Sequence, residues 1–248
     1  MNPLEVSAAQ NRWSHRPAVE KVFLYGGLLL CAMLLPPRTG APLVFVVTTA
    51  VTLAAARVRL RLFLMALAGP ALFIALGSLP IAIGLRGGLH LDSAGVSVAV
   101  DTALRSMAAS AATIGLAVTT TMTDLLQLAR RAGLPGPLCH VIDLTYRMVG
   151  ILLHSARTAR EAAGMRLGLQ DARGAITVVG TQTALVFVRA LERARSMSEA
   201  MSLRAEPGMT AVLTAHRPVH PTRIAVSAVT LIGICVLALW IRRVIDAG

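Results

Sequence analysis

Two short segments of similar composition combine an arginine with leucine, methionine and small residues. The first is Ala-Gly-Met-Arg-Leu-Gly at 163–168, and the second is Ala-Met-Ser-Leu-Arg-Ala at 200–205. A guanidinium group presents a planar fork of donors that suits an acidic surface, methionine adapts its shape to a contact, and small residues permit close approach. We therefore predict two protein-contact sites, centred on Met165, Arg166, Leu167, Leu203, Arg204 and Ala205.

The sequence contains no recognisable motif for catalysis, nucleotide binding or metal binding. It lacks the phosphate-loop pattern G-x-x-x-x-G-K-[ST], so we expect no ATP site of that type. The histidines are dispersed, and Pro218 and Pro221 interrupt any helix that would align His216 with His220. The cysteines are isolated, which favours small apolar helix residues over a disulfide framework. We expect neither catalytic residue, metal nor cofactor in this chain.

The composition is that of a membrane protein. Hydrophobic residues make up 55% of the chain, charged residues 15%, and the mean hydropathy is +0.68. A soluble domain has about 25% charged residues. The formal net charge is +12, but no basic run alternates with aromatic residues that could stack on bases. We therefore exclude nucleic acid as a partner and assign the basic residues to cytoplasmic loops of a protein in contact with lipid.

Five apolar stretches are candidates for membrane spans, since a spanning helix needs about 20 mostly apolar residues. They lie at 18–35, 41–56, 62–85, 94–122 and 224–241. Leucine and alanine dominate them, which favours helices. The sequence thus predicts an all-α membrane protein with about five transmembrane helices. Its regions would be four spans in 1–122, a cytoplasmic region at 123–220 and a last span in 221–248.

The arginines set the orientation of these spans. The polar N-terminal segment, which does not resemble a signal peptide, and the three arginines at 57–61 fall on one side of the membrane if two spans separate them. The positive-inside rule assigns that side to the cytoplasm. The prediction is a multi-pass protein of the bacterial inner membrane with a cytoplasmic N-terminus. Five spans place the C-terminus outside, and Arg242 and Arg243 disagree with that placement.

The region 123–220 predicts one short and two long helices. The short helix, at 124–132, is amphipathic and ends before Gly133 and Pro135, which stop helices. The long helices, at 137–167 and 173–205, each begin apolar, become charged and end in an arginine cluster. A helix of roughly 30 residues reaches about 45 Å, which is enough to extend from a membrane face to a cytoplasmic partner.

Two further pairs of charges stand four residues apart, at Asp101 and Arg105 and at Asp143 and Arg147. Residues at this spacing share a helix face. A lone charge within the bilayer costs roughly 3 kcal/mol, so we expect the members of each pair to neutralise one another. The alternative is that these residues contact a neighbouring membrane subunit.

Several segments together resemble the T components of energy-coupling factor transporters, the EcfT/CbiQ family, over nearly the whole chain. The N-terminal segment 11–21 is similar to the cobalt-type members. Thr-Thr-Thr-Met-Thr-Asp-Leu-Leu at 119–126, with Arg-Arg-Ala-Gly-Leu-Pro at 130–135, is similar to the family's cytoplasmic helix after the fourth span. Tyr146-Arg147 and the arginine clusters complete the match. Where members typically carry Ala-Arg-Gly-like triplets, this chain has Met-Arg-Leu and Leu-Arg-Ala.

The resemblance implies a non-catalytic coupling subunit of an ATP-driven importer. Two cytoplasmic ATPase subunits would bind the ATP, and the long helices would be coupling helices that sit in grooves on those subunits through Arg166 and Arg204. The motion would pass to a substrate-binding membrane subunit, the S component, and in the cobalt type the substrate is a divalent metal ion.

Other functions stay open at this point. The same role in a nickel or vitamin importer is compatible with the sequence, because the substrate is held by another chain. A self-sufficient secondary transporter is expected to have an inverted repeat and polar residues near the middle of the membrane, and the sequence indicates neither. A third alternative is a membrane enzyme or an assembly scaffold, and no Ser/His/Asp or paired-carboxylate arrangement that would indicate an enzyme stands out.

Overall fold

The structure is a computed structural model that describes residues 7–8, 10–84, 90–91, 93–165, 172–203 and 221–247. The chain forms two compact units, which are described separately. The first comprises Met1–Leu128 and His216–Gly248, and the second comprises Ala129–Ala215.

The described residues are predominantly helical. In chain order the helices are α1 (Ala18–Leu34), α2 (Gly40–Ala50), α3 (Leu60–Ala82), α4 (Ser93–Thr119), α5 (Met122–Arg131), α6 (Gly136–Met165), α7 (Ala172–Leu203) and α8 (Pro221–Ala247). A five-residue π-helical turn, Val51–Ala55, extends α2. Two strands of two residues each, β1 (Ile83–Gly84) and β2 (His90–Leu91), pair antiparallel between α3 and α4.

Proline and glycine account for several helix ends. The sequence Pro36-Pro37 follows α1, and a residue that precedes proline is pushed out of the helical region. Gly133 follows α5 with a φ of +100°, a left-handed conformation that glycine adopts at helix ends without strain. Pro70 and Pro80 lie inside α3, which shows that this apolar helix tolerates interruptions of its hydrogen-bond ladder.

The core of the first unit is built around α4. This helix packs against α1, α2 and α3, while α8 packs against α1 and α2. The face of α4 that enters the core consists of small residues, including Ala108, Ala111, Ala112 and Gly115. Small residues let helix backbones approach closely, as is common between membrane helices.

A polar contact locks α1 onto the π-helical turn inside this core. The hydroxyl of Tyr25 lies 3.0 Å from Oγ1 of Thr52, and Thr52 in turn donates to the carbonyl of Thr48 at 2.7 Å. All three residues are buried. A π-turn shifts the register of a helix, and this contact is where the shifted turn meets α1.

The described part of the second unit is dominated by two long antiparallel helices, α6 and α7. Gln182 Nε2 of α7 donates to the carbonyl of Ala159 of α6 at 3.0 Å. A cavity of about 470 Å³ is lined by residues 144–152 of α6 and 190–198 of α7. Early residues of α6 therefore lie beside late residues of α7, and late residues of α6 beside early residues of α7.

Among the residues that the structure describes, two helices are long and apolar enough to cross a membrane, over Leu60–Ile81 and Pro221–Val244, and only 11% of each apolar window is buried. Gly40–Ala55 is a shorter apolar helix. A helix that is apolar and outward-facing is suited to lipid. The all-helical character that the sequence predicts is confirmed, apart from the short strands, whereas the number of five spans and the region boundaries stay predictions.

Candidate functional site

The two predicted contact clusters stand at helix ends. Met165 is the last residue of α6 and is 89% exposed, and Leu203 is the last residue of α7 and is 85% exposed. Large apolar side chains at such exposure suggest a contact that the isolated chain does not make. The other four residues lie outside the described part of the chain: Arg166, Leu167, Arg204 and Ala205.

Because α6 and α7 are antiparallel, the two cluster positions lie at opposite ends of the pair. The last residue of α7 lies alongside the first turn of α6, about 26 residues before Met165. At 1.5 Å per residue this separates the two ends by about 40 Å. A separation of that size exceeds the width of a small domain.

Apolar side chains are exposed along both long helices. On α6 they include Leu138, Val141, Val149, Ile151 and Leu153, and on α7 they include Ile176, Val179, Phe187 and Val188. The cavity between the helices contains Met148 and Met197. A monomeric soluble protein rarely exposes so large an apolar surface, so the surface of the second unit is suited to a protein partner or to lipid.

Asp143 and Arg147 on α6 form the ion pair that their spacing predicts. Nη2 of Arg147 lies 2.9 Å from Oδ2 of Asp143, and the carboxylate is the more buried partner. An i, i+4 pair of this kind contributes only tenths of a kcal/mol to the helix. Whether these residues also contact a membrane subunit stays a prediction.

The predicted ion pair between Asp101 and Arg105 is wrong. Nε of Arg38, in the loop between α1 and α2, lies 2.9 Å from Oδ1 of Asp101. Arg105 instead points a guanidinium nitrogen at the carbonyl of Leu35, at 3.4 Å. Spacing along one helix identifies neighbours on that helix, but the loop supplies a closer partner. This ion pair therefore connects the loop between α1 and α2 to the first part of α4.

A buried lysine, which the analysis of motifs missed, ties three helices together. Nζ of Lys21 donates to the carbonyl of Thr119 at the end of α4 at 2.8 Å and lies 3.6 Å from Oδ2 of Asp124 in α5. The lysine side chain has 0% exposure. A buried charge is retained only when it is paired and hydrogen-bonded. The signal was present in the sequence, since a lysine at the start of an apolar span requires a partner.

The N-terminal segment that resembles cobalt-type members packs on the same end of the first unit. Nδ2 of Asn11 donates to the carbonyl of Val118 at 3.1 Å. The guanidinium of Arg16 lies 4.3 Å from the centre of the Trp13 ring. Burial, and to a lesser extent the charge of Arg223, lowers the pKa of Arg16. The motif therefore closes the end of α4 where Lys21 also binds.

Within the described residues, the structure groups no three histidine, cysteine, aspartate or glutamate side chains in a way that could hold a metal ion. Sγ of Cys31 and Sγ of Cys235 lie 3.6 Å apart and join α1 to α8. His216 and His220 lie outside the described residues.

The geometry defines a class of protein: a helical membrane protein with outward-facing apolar helices and a separate pair of long helices with exposed ends. Comparison with known proteins identifies the family. A family model described as cobalt transport protein, CbiQ, matches residues 10–208. The chain therefore belongs to the CbiQ family of cobalt transport proteins, which are transporter components of the membrane.

Two curated relatives support this assignment. The chain is 34% identical to the cobalt transport protein CbiQ of Rhodobacter capsulatus over 215 residues, which cover 86% of this chain and 88% of the relative. It is 26% identical to the cobalt transport protein CbiQ of Salmonella typhimurium over 222 residues, which cover 84% of this chain and 98% of the relative. The similarity spans both compact units.

Proposed function

We propose that this chain is the transmembrane coupling subunit of an energy-coupling factor importer for cobalt ions. It passes the ATP-driven motion of two cytoplasmic ATPase subunits to a membrane subunit that holds the substrate. The observation that carries the proposal is the antiparallel pair α6–α7, whose ends at Met165 and Leu203 are highly exposed and are each followed by an arginine in the sequence.

The separation of the two ends supports one contact for each ATPase subunit. Arg166 directly follows Met165, and Arg204 directly follows Leu203, so each guanidinium is one residue away from an end of the pair. Ends about 40 Å apart would enter grooves on two different subunits. A rigid rod that links two ATPase subunits then shifts or tilts when the subunits close on ATP, because both of its ends are held.

The exposed apolar faces of α6 and α7 are the surfaces on which the substrate-binding membrane subunit would pack in this proposal. A membrane subunit that packs on these faces would move together with the helix pair α6–α7. The proposal places the second unit in the cytoplasm together with the N-terminus, following the arginine distribution. This chain itself would bind neither ATP nor the metal ion, and the ATPase and substrate-binding subunits would supply those sites.

The test reverses the charge at each of the two arginines, one at a time. Arg166→Glu and Arg204→Glu are each introduced into the tagged full-length chain. Each variant is co-expressed with the ATPase subunits, and the complexes are purified from membranes. Because the two ends contact different subunits, each single reversal should release one ATPase subunit and leave the other bound. An interface arginine contributes roughly 2–4 kcal/mol, so each lost contact weakens binding at least about 30-fold. The double reversal should release both.

Matched controls are available on the same helices. Arg160→Glu on α6 and Arg195→Glu on α7 change the same charge at exposed positions away from the helix ends, and both should retain two ATPase subunits. Unchanged recovery of the ATPases after both reversals at the ends would refute the coupling role. Uptake of cobalt ions by the chain alone, in vesicles without ATPase subunits, would instead support a self-sufficient transporter, and uptake of nickel or a vitamin by the assembled complex would reassign the substrate.

A further inference from the structure

Two cysteines that lie far apart in the sequence meet in the first unit. Cys31 belongs to α1 and Cys235 belongs to α8, 204 residues further along the chain. Both are free thiols, and their sulfurs lie 3.6 Å apart. Their spacing in the sequence predicts isolated cysteines, but the fold brings these two together. Neither the coupling role nor the family assignment uses this pair of thiols.

The helices that carry the two thiols run side by side in the same direction. A Cβ added at Gly27 of α1 would meet the side chain of Leu231 of α8. Cys31 and Cys235 meet four residues further along both helices, so α1 and α8 are parallel and in register. A small residue such as Gly27 permits close approach of the two backbones. Close approach is what a disulfide requires, because its Cα atoms must lie within about 7 Å of one another.

A cavity of about 790 Å³ gives access to the pair. Cys31 and Cys235 both line it, and so does the ion pair of Arg38 and Asp101. The side chain of Arg38 is 65% exposed, so the cavity has a polar and accessible part through which a small polar molecule can enter. Cys31 is buried, whereas Cys235 is partly exposed. A reagent in the cavity therefore reaches the sulfur of Cys235 first.

The pair lies close to one face of the membrane. Cys31 stands four residues before Leu35, where α1 ends, and Cys235 stands five residues before the exposed Trp240. Exposed tryptophan is enriched at the boundary between the bilayer and water. At 1.5 Å per residue, Cys235 is within about 8 Å of that boundary. In the proposed orientation this is the external face of the inner membrane, where disulfides form and persist.

We propose that Cys31 and Cys235 are a modification site at which a disulfide-type oxidant from the external side converts the two thiols into a disulfide that fastens α8 to α1. The sulfurs need to approach by only about 1.5 Å to reach the length of that bond. The site rests on the proposed orientation but not on the contacts with the ATPase subunits, so it and the coupling role can fail separately.

The reaction is two successive thiol–disulfide exchanges. The deprotonated sulfur of Cys235 attacks one sulfur of the oxidant, forms a mixed disulfide and releases the first thiol of the oxidant. The deprotonated sulfur of Cys31 then attacks the sulfur of Cys235, forms the internal disulfide and releases the second thiol. The two cysteines lose two electrons and two protons, and the oxidant gains them as two thiols.

The disulfide would hold the last helix on the first unit. The whole second unit separates α8 from the other helices of the first unit along the chain. A cross-link between residues 204 positions apart removes more conformational freedom from the unfolded chain than one that closes a short loop. Reduction of the purified chain should therefore lower its unfolding temperature by roughly 5–15 °C.

The test counts free thiols in the full-length chain, which has three cysteines. Cells that produce the chain are quenched with acid, and the denatured protein is treated with a maleimide-linked polyethylene glycol that adds visible mass at each thiol. We expect one addition before reduction, at Cys139, and three additions after it. Three additions before reduction would overturn the modification.

Cys139 supplies the matched control, because it belongs to the second unit and is a free thiol. The Cys139→Ser variant should show no addition before reduction and two after it. The Cys31→Ser variant should show two additions in both conditions, at Cys139 and Cys235. Two additions before reduction in Cys139→Ser, or a single one in Cys31→Ser, would overturn the pairing of Cys31 with Cys235.

Two measurements test the side of the membrane and the effect on α8. Tris(2-carboxyethyl)phosphine, a charged reductant, should open the disulfide in spheroplasts, and reduction in inside-out vesicles alone would overturn the external oxidant without affecting the coupling role. In the purified chain, dithiothreitol should lower the unfolding temperature, and Cys31→Ser should unfold at the lower temperature with or without it. An unfolding temperature that does not change on reduction would overturn the fastening of α8.

Discussion

Replacement of Lys21 by methionine tests the most deeply buried charge in the described part of the chain. Methionine has a similar length but carries neither the charge nor the donor. The substitution removes the 2.8 Å hydrogen bond to the carbonyl of Thr119 and the 3.6 Å ion pair with Asp124. Asp124, whose side chain is 7% exposed, then loses its lysine partner.

The magnitude follows from the burial of both groups. Breaking a buried ion pair by removing one partner costs about 3–5 kcal/mol. Lys21 lies in the first turn of α1, where water can reach the vacated position after local relaxation, so we expect a loss near 3 kcal/mol. The control is Arg38→Gln, which breaks an ion pair whose arginine is 65% exposed and should cost no more than about 1 kcal/mol.

Equilibrium unfolding of the chain in mixed micelles of mild and denaturing detergent measures both losses. A double-mutant cycle with Asp124→Asn isolates the pair. The double variant should cost about 1–2 kcal/mol less than the sum of the single variants, because residues of one ion pair do not act independently. Additivity within about 0.5 kcal/mol, or a loss in Lys21→Met as small as that in Arg38→Gln, would refute the reasoning.

Two further predictions concern the packing of α1. A Cβ added at Gly115 would meet the ring of Tyr25 at 2.5 Å, whereas a Cβ added at Gly27 would meet the Leu231 side chain, whose methyl groups can move away by rotation into another rotamer. Gly115→Ala should therefore destabilise the chain by about 1–3 kcal/mol, and Gly27→Ala by clearly less in the same unfolding assay. Equal losses would contradict this packing. Mild oxidation should cross-link Cys31 to Cys235, because their sulfurs lie 3.6 Å apart. A gel without reductant should then show a faster-migrating monomer, and the Cys31→Ser variant should not show it. The absence of this band in the oxidised unaltered chain would contradict the contact between α1 and α8.

Helix positions could be predicted from the sequence because glycine and proline mark their ends. The short helix predicted at 124–132 is α5, Met122–Arg131, and it ends before Gly133 as expected. The long helices predicted at 137–167 and 173–205 are α6 and α7, within the part of each range that the structure describes. The third span, predicted at 62–85, ends earlier as a helix at Ala82, because the chain continues into β1.

Contacts between distant segments could not be predicted in the same way. Lys21 stands out as the only lysine in the sequence, but its partner Asp124 belongs to another helix and no periodicity connects them. Helical spacing favoured Arg105 as the partner of Asp101, yet a loop arginine lies closer in space. The antiparallel arrangement of α6 and α7 can be predicted from the sequence, because a short connection between two long helices favours antiparallel neighbours.

The last conflict in the sequence concerns the arginines near the C-terminus. Five spans would place them outside, against the positive-inside rule. Arg242 lines one cavity with Arg38, so the end of α8 lies at the same end of the first unit as the loop between α1 and α2. The proposed orientation places that loop outside, because the N-terminal segment and the arginines at 57–61 belong to the opposite side. Under that orientation Arg242 lies on the side that the positive-inside rule disfavours, and the external C-terminus stays a prediction.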